Sequence, residues 1–418
     1  MKKHLWILLM LIMPLAGCPT GTDKSATPPI NPGAAVIGML QPLATGSALE
    51  KELAARLAIG EINAAGGVNG QPLDLRVGYD NNNNPAFGVP SAQDLVANGV
   101  LAIIGANSSA VTLPVAQQVT IPANIALLSP GATSPLITTL ADNNTVYRIP
   151  PSDALQGRLL AELVFGEGHS VVATFAQDEP YGAGLTQAFT QRFQQLGGTI
   201  KVSAVAPASQ TSGYTSEIAT LYAGSAPPVL MMFAFSQPTA SLLREILSAK
   251  GSLPVLYGVD ANMIPDTLNN APPQIAGMRG TTPAANTSTP QYQHFLAAYS
   301  ANVGATPDPN TENAYDAVYL IALAMAQSGS NTRAGVLASL HDVSESNTAS
   351  TVIGPGGFAD ALAAIKAGKS VAYLGASGPI NFDANGDPTD ATYQYLEVEM
   401  AAGNRLSLAT LRTINYNP

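Results

Sequence analysis

A single cysteine stands among 418 residues, which excludes an internal disulfide and every cysteine-built metal site. Charge is nearly as scarce: 11% of the residues are charged, where about 25% is usual in soluble proteins, while 46% are hydrophobic. Such a chain buries a large core, and disorder is excluded for most of it. The 18 Lys+Arg against 28 Asp+Glu give a formal charge of −10. No basic run follows Lys2 and Lys3, so no phosphate-tracking surface can be assembled and nucleic acid is not an expected partner. The four histidines, His4, His169, His294 and His341, are scattered without a helical metal pair, so neither a metal nor a cofactor is expected. The length, with 38 Gly and 32 Pro, predicts many short elements arranged in two lobes.

The amino terminus explains the lone thiol. Lys2 and Lys3 precede an apolar run from Leu5 to Met13, followed by Leu15-Ala16-Gly17-Cys18. This is a secretory signal, too short for a stable span, which needs about 20 apolar residues. The Leu-Ala-Gly-Cys stretch resembles the lipobox of bacterial lipoproteins, which implies cleavage before Cys18 and acylation of that residue. Several acyl chains hold a protein stably at a membrane, unlike a single one. Residues 1–17 are therefore expected to be a lipoprotein signal peptide. Residues 18–34, rich in Pro, Thr, Gly and Ser, are expected to form a flexible tether.

Along the body, Ala35 to Leu40 is a short apolar run that suits a buried parallel strand, and Ser47 to Ala65 carries Leu49, Leu53, Leu57 and Ile62 near helical spacing. The alternation continues with a strand at Leu73–Val77, a helix near Ala86–Asn98, a strand at Leu101–Ile104, a helix near Val111–Thr120 and a strand at Ala126–Leu128. A second series follows Pro150-Pro151: a helix through Leu159 and Leu163, strands at Ser170–Phe175, Thr199–Val205 and Val229–Phe233, and a helix at Gly184–Leu196. Further helices at Gln291–Ala301 and Asn313–Ala326 and a strand at Ile380–Phe382 complete the earlier lobes. The fold class is α/β, with two doubly wound parallel-sheet lobes.

Three motifs fall short of chemistry. Gly168-His169-Ser170-Val171-Val172 has Val where a nucleophile elbow needs its second Gly, which leaves a secreted α/β hydrolase without its turn. Gly368-Lys369-Ser370 lacks the earlier Gly of a phosphate loop and reads as a capped helix end. Asp383 to Asp387 begins like a calcium loop, but Gln394 stands where the closing Glu belongs, and a hairpin turn is expected.

Three polar clusters do follow strand ends, where open parallel sheets bind ligands: Gly105 to Ser109, Ser129 to Thr133, and Asp178 to Gly182. With the run Ile59-Gly60-Glu61-Ile62-Asn63-Ala64-Ala65-Gly66-Gly67-Val68-Asn69-Gly70, with Asp80, Asn84 and Pro85, and with Arg148, Pro151-Ser152-Asp153, Gln156-Gly157, Tyr181-Gly182 and Ala314-Tyr315-Asp316, they make an ordered set. In that set the chain resembles type I periplasmic binding proteins, and among them the leucine/isoleucine/valine-binding receptors of ABC transporters. The resemblance implies a non-catalytic monomer that captures a branched-chain or other apolar amino acid between its lobes and delivers it to an ABC permease. It places the carboxylate on Ser109 and Gly131, with Thr133 near the ammonium group, and sets Tyr181, Phe235 and Asp260 on the second lobe. The family usually has Tyr at position 235 and Glu at position 260; Asp260 keeps the charge and shortens the reach. Three crossings are implied, near Pro150, Gly277 and Gln394, which divide the chain into 35–150 with 278–394 and 151–277 with 395–418. A cell-envelope lipoprotein, anchored through Cys18, follows. The alternative is a sensor or envelope regulator of the same fold that takes an amide or an aromatic acid.

Overall fold

A computed structural model describes residues 30–42, 46–345, 350–403 and 405–416. The signal peptide, Cys18 and most of the tether lie outside the described residues.

The first lobe is built from β1 (Ala35–Gln41), α1 (Ser47–Ala64), β2 (Leu73–Tyr79), α2 (Pro85–Ala97), β3 (Ala102–Ile104), α3 (Ser109–Val115, continued by a π-turn at Ala116–Thr120), β4 (Ala126–Ser129), α4 (Pro135–Thr138) and β5 (Val146–Arg148). Its five strands are parallel, in the order β2-β1-β3-β4-β5. Buried on both faces, β3 and β4 are continuous apolar runs, as parallel strands covered by helices must be. The second lobe takes α5 (Asp153–Gly166), β6 (Val171–Asp178), α6 (Pro180–Gln195), β7 (Thr199–Pro207), α7 (Thr215–Leu221), β8 (Val229–Phe233), α8 (Ser236–Lys250), β9 (Val255–Gly258), α9 (Pro265–Asn270) and β10 (Arg279–Pro283).

The chain then returns to the first lobe through α10 (Pro290–Val303), α11 (Glu312–Ser328), α12 (Arg333–Ser344), β11 (Thr351–Ile353), α13 (Phe358–Lys366) and β12 (Val371–Tyr373). It ends in an antiparallel hairpin, β13 (Thr392–Ala401) and β14 (Arg405–Asn415). The second sheet reads β14-β13-β10-β9-β8-β6-β7. Nearly all of α11 is buried, as a helix apolar on every side must be, and it packs in one core with β1, β3 and α1. Asp316 within it is met by the Tyr373 hydroxyl at 2.6 Å, the Ser377 hydroxyl at 2.6 Å and the N–H groups of Ala376 and Ser377.

Several expectations are corrected. Residues 279–283 pair with β9 and β13 in the second sheet, so the crossing placed near Gly277 comes after Pro283. The last crossing, placed near Gln394, comes before Thr392, where β13 already pairs with β14. Ile380–Phe382 is no strand: Asn381 is in the left-handed region, and the segment makes only the single bridge of Phe382 to Pro388. Strands β5, β9 and β10, the parallel pair β11–β12 and the closing hairpin were not expected. The Asp383–Asp387 segment is a tight turn, closed by Asp383 N–H to Asp387 O at 2.8 Å and by Asp383 Oδ1 accepting from Asn385 and Asp387. A cavity lies where the chain passes between lobes, lined by Ile149, Pro151, Pro283, Ala285 and Thr392. No helix among the described residues is long and apolar enough to cross a membrane.

Candidate functional site

On the first lobe the loops after β3 and β4 are sewn together. Ser129 donates its hydroxyl to Ala106 O at 2.6 Å and accepts from Ala132 N–H at 2.8 Å. Gly131 lies so close to Asn107 that a Cβ would stand 2.3 Å from Asn107 Oδ1, so only glycine fits. Ser109 opens α3, is buried, and accepts from Ser134 N–H at 3.1 Å, which leaves its own proton free to donate. Thr133 is buried, and its carbonyl accepts from Asp153 N–H and from Arg148 Nη1, both at 2.8 Å.

On the second lobe Glu179 caps α6, accepting from Tyr181 N–H at 3.0 Å and Gly182 N–H at 2.6 Å. Tyr181 donates its hydroxyl to Asp260 Oδ1 at 2.7 Å, and its ring stacks on Phe235 with centroids 5.4 Å apart. Asn262 fixes the loop that carries Asp260: its Oδ1 accepts from Val259 N–H, and its Nδ2 donates to the carbonyls of Met232 and Ala234. The structure thus brings Tyr181, Phe235 and Asp260 into one cluster, and Ser109, Gly131 and Thr133 into another. Thr133 joins the two through Asp153.

Asp153 was not singled out from sequence as a site residue. After Pro-Pro-Ser it reads as an acid in the first turn of a helix, where Ser152 is the cap. Yet it is wholly buried, and neither carboxylate oxygen has a hydrogen bond of good geometry. Burial pushes its carboxyl well above the usual range; the charges of Asp260 and Glu179 add to this, while the Thr133 hydroxyl and Arg148 oppose it. Burial raises Asp260 too, against the hydrogen bonds of Tyr181 and Gln156. Gln156 Oε1, the Tyr393 hydroxyl, Asn107 Oδ1 and Ser108 Oγ are likewise buried and unpartnered. Buried polar groups are nearly always paired; other unpartnered atoms occur elsewhere among the described residues, so it is the position of these, after strand ends and around Asp153 and Asp260, that makes them candidate ligand contacts.

The arrangement is polarised. Lobe 1 offers the Ser109 hydroxyl proton, lobe 2 offers carboxylates, and Phe235 with Tyr181 forms an aromatic wall. Among the described residues no group of three or more His, Cys, Asp or Glu is placed to hold a metal ion. A pH dependence follows. Both acids titrate higher in the folded chain than in the unfolded one, where Asp has a pKa of about 3.9. The folded state then binds more protons, so these groups cost stability progressively as pH rises from about 4 through their raised values. Thermal unfolding from pH 4 to 8 should show this decline, and Asp153→Asn should flatten it; an unchanged slope counts against the coupled pair.

Residues 35–403 match the family model described as periplasmic binding protein. A protein of Brucella suis named Leu/Ile/Val-binding protein homolog 1 is 27% identical over 278 residues, 66% of this chain and 73% of its own. A Halobacterium salinarum protein named chemotactic signal transduction system substrate-binding protein BasB is 27% identical over 368 residues, 84% of each chain. The crystal structure of a leucine-binding protein, LivK, from Thermotoga maritima superposes with a TM-score of 0.74 at 20% identity, covering 92% of this chain and 99% of that one, a likeness of fold.

Proposed function

The chain belongs to the periplasmic binding protein family, and from that premise we propose that it is an extracytoplasmic receptor that closes its two lobes on a small amino acid and hands it to an ABC permease. The observation that carries this reading is the pairing of a hydroxyl donor on lobe 1 with a Tyr181-bonded carboxylate on lobe 2, beside polar groups that lack partners. A zwitterion leaving water needs both charges met. The Ser109 hydroxyl and the backbone at Gly131 take the carboxylate. Thr133, Asp260 and Asp153 surround the ammonium group, and Phe235 with Tyr181 packs the side chain, which suits a branched-chain or other apolar residue. The relative named for Leu, Ile and Val binding supports this ligand class. The protein acts as a monomer without catalysis, and acylated Cys18 holds it at the cell envelope through the tether.

The test is thermal unfolding of the protein, freed of carried-over ligand by unfolding and refolding, against the twenty L-amino acids, several short amides and benzoate. A ligand at 1,000 times its dissociation constant stabilises by about 4.1 kcal/mol. Even at about 2 °C per kcal/mol, that moves the midpoint by several degrees. Shifts confined to Leu, Ile, Val or similar residues support the receptor. A flat amino-acid panel with an amide or aromatic-acid response favours the second reading, a sensor of the same fold, for which the relative named for chemotactic signalling and the Phe235 and Asp260 departures speak.

A further inference from the structure

Ser134 and Gly184 lie at the contact between lobes; the ligand site described above uses only the backbone N–H of Ser134 and does not include Gly184. Ser134 is wholly buried and uses every polar atom. Its N–H donates to Ser109 Oγ at 3.1 Å, its carbonyl accepts from Arg148 Nη1 at 2.8 Å, and its hydroxyl donates to Pro180 O, on the other lobe, at 2.9 Å. One residue therefore ties the Ser109 hydroxyl to the first turn of α6, which carries Tyr181. One turn further along α6, Gly184 faces Pro135, which follows Ser134 and opens α4. A Cβ at Gly184 would stand 2.5 Å from Pro135 Cδ, and the three nearest atoms, Pro135 Cδ, Pro135 Cγ and Ser134 Oγ, all belong to lobe 1. Its own lobe leaves room for a side chain; only the opposite lobe forbids one.

We propose that Ser134 and Gly184 form a latch that holds the lobes closed, Ser134 by its hydrogen bond to Pro180 and Gly184 by permitting the backbone approach that makes this bond possible. Both are positioning residues. The coupling of the latch to the ligand, through Ser109, rests on the reading proposed above: an anion accepting the Ser109 proton makes Ser109 Oγ a stronger acceptor for Ser134 N–H. The latch itself rests on geometry alone.

The experiment measures the distance between lobes by spin labels at Ala86→Cys and Gln237→Cys in the full chain carrying Cys18→Ser, alone and with the twenty amino acids at 1 mM each. Wild type should show a short-distance population in at least one condition. Gly184→Ala should lose it, and Ser134→Ala should reduce it. Alanine suits a helix better than glycine, so Gly184→Ala should unfold at the same or a higher temperature while the cleft opens, a combination that loss of folding does not produce. Equal short populations in wild type and both variants overturn the latch, as does the absence of a short population in wild type. A latch that responds to mutation but not to amino acids leaves it standing and counts against the amino-acid reading alone.

Discussion

Asp260→Ala should weaken amino-acid binding by roughly a hundred- to several-thousand-fold, the equivalent of about 3 to 5 kcal/mol for removing one partner of a buried charge pair. The ammonium group would enter a pocket whose Tyr181 hydroxyl has lost the carboxylate it donates to at 2.7 Å. Asp153 remains nearby, and with Asp260 gone its own carboxyl ionises more readily, because the Asp260 charge is one of the causes that raise it. Residual binding in Asp260→Ala should therefore vanish in the Asp153→Asn double variant, with the two losses not adding. Tyr181→Phe, which removes one hydrogen bond to the charged Asp260, should cost less, about 1.5 to 3 kcal/mol. Calorimetry on the amino acid that gives the largest thermal shift makes the comparison. Unchanged affinity in Asp260→Ala would remove this site.

Arg148→Ala should be the most damaging substitution for stability. The guanidinium is wholly buried at the end of β5. Nη1 donates to the carbonyls of Thr133 and Ser134 at 2.8 Å each, and Nη2 to Thr138 Oγ1 at 2.6 Å and Asp387 Oδ2 at 2.5 Å. Removing it strips the loop that carries Thr133 and leaves Asp387 without its cation, a loss of about 3 to 5 kcal/mol. At about 2 °C per kcal/mol the melting midpoint falls by roughly 6 to 10 °C. Much of that cost is the stranded carboxylate, so Arg148→Met with Asp387→Asn should recover part of it. Equal melting of the single and double variants would show that the ion pair is not the source.

The same arginine marks where sequence reading stops. Runs such as Ala126–Leu128 and Val229–Phe233 declare themselves because a strand buried on both faces needs continuous apolar residues. Val146-Tyr147-Arg148 does not, because its charge is met by Asp387, 239 residues away. In β13, Tyr393, Tyr395 and Val398 are buried but not in strict alternation, since a bulge between Tyr395 and Leu396 shifts the register. The strand-end clusters around Ser109 and Thr133 were legible because topology alone puts strand ends at a cleft. Asp153 was not, because its neighbours Thr133 and Asp260 come from loops after other strands, and only their convergence distinguishes it from an ordinary helix start. Nothing in the structure explains why charge is so scarce.

The second sheet is open at both sides, at β14 and at β7. An unpaired strand edge is a template for joining another chain, and such edges are blunted by charge or proline placed along them. Both edges carry such residues: Arg405 and Arg412 are exposed on β14, while Lys201 lies on β7, which Pro207 ends. Registration of a second copy against either rim is thereby opposed locally by these side chains, in addition to the long-range repulsion of a net charge of −10. Loss of a positive charge along either rim should therefore favour edge-to-edge joining of copies in concentrated solution.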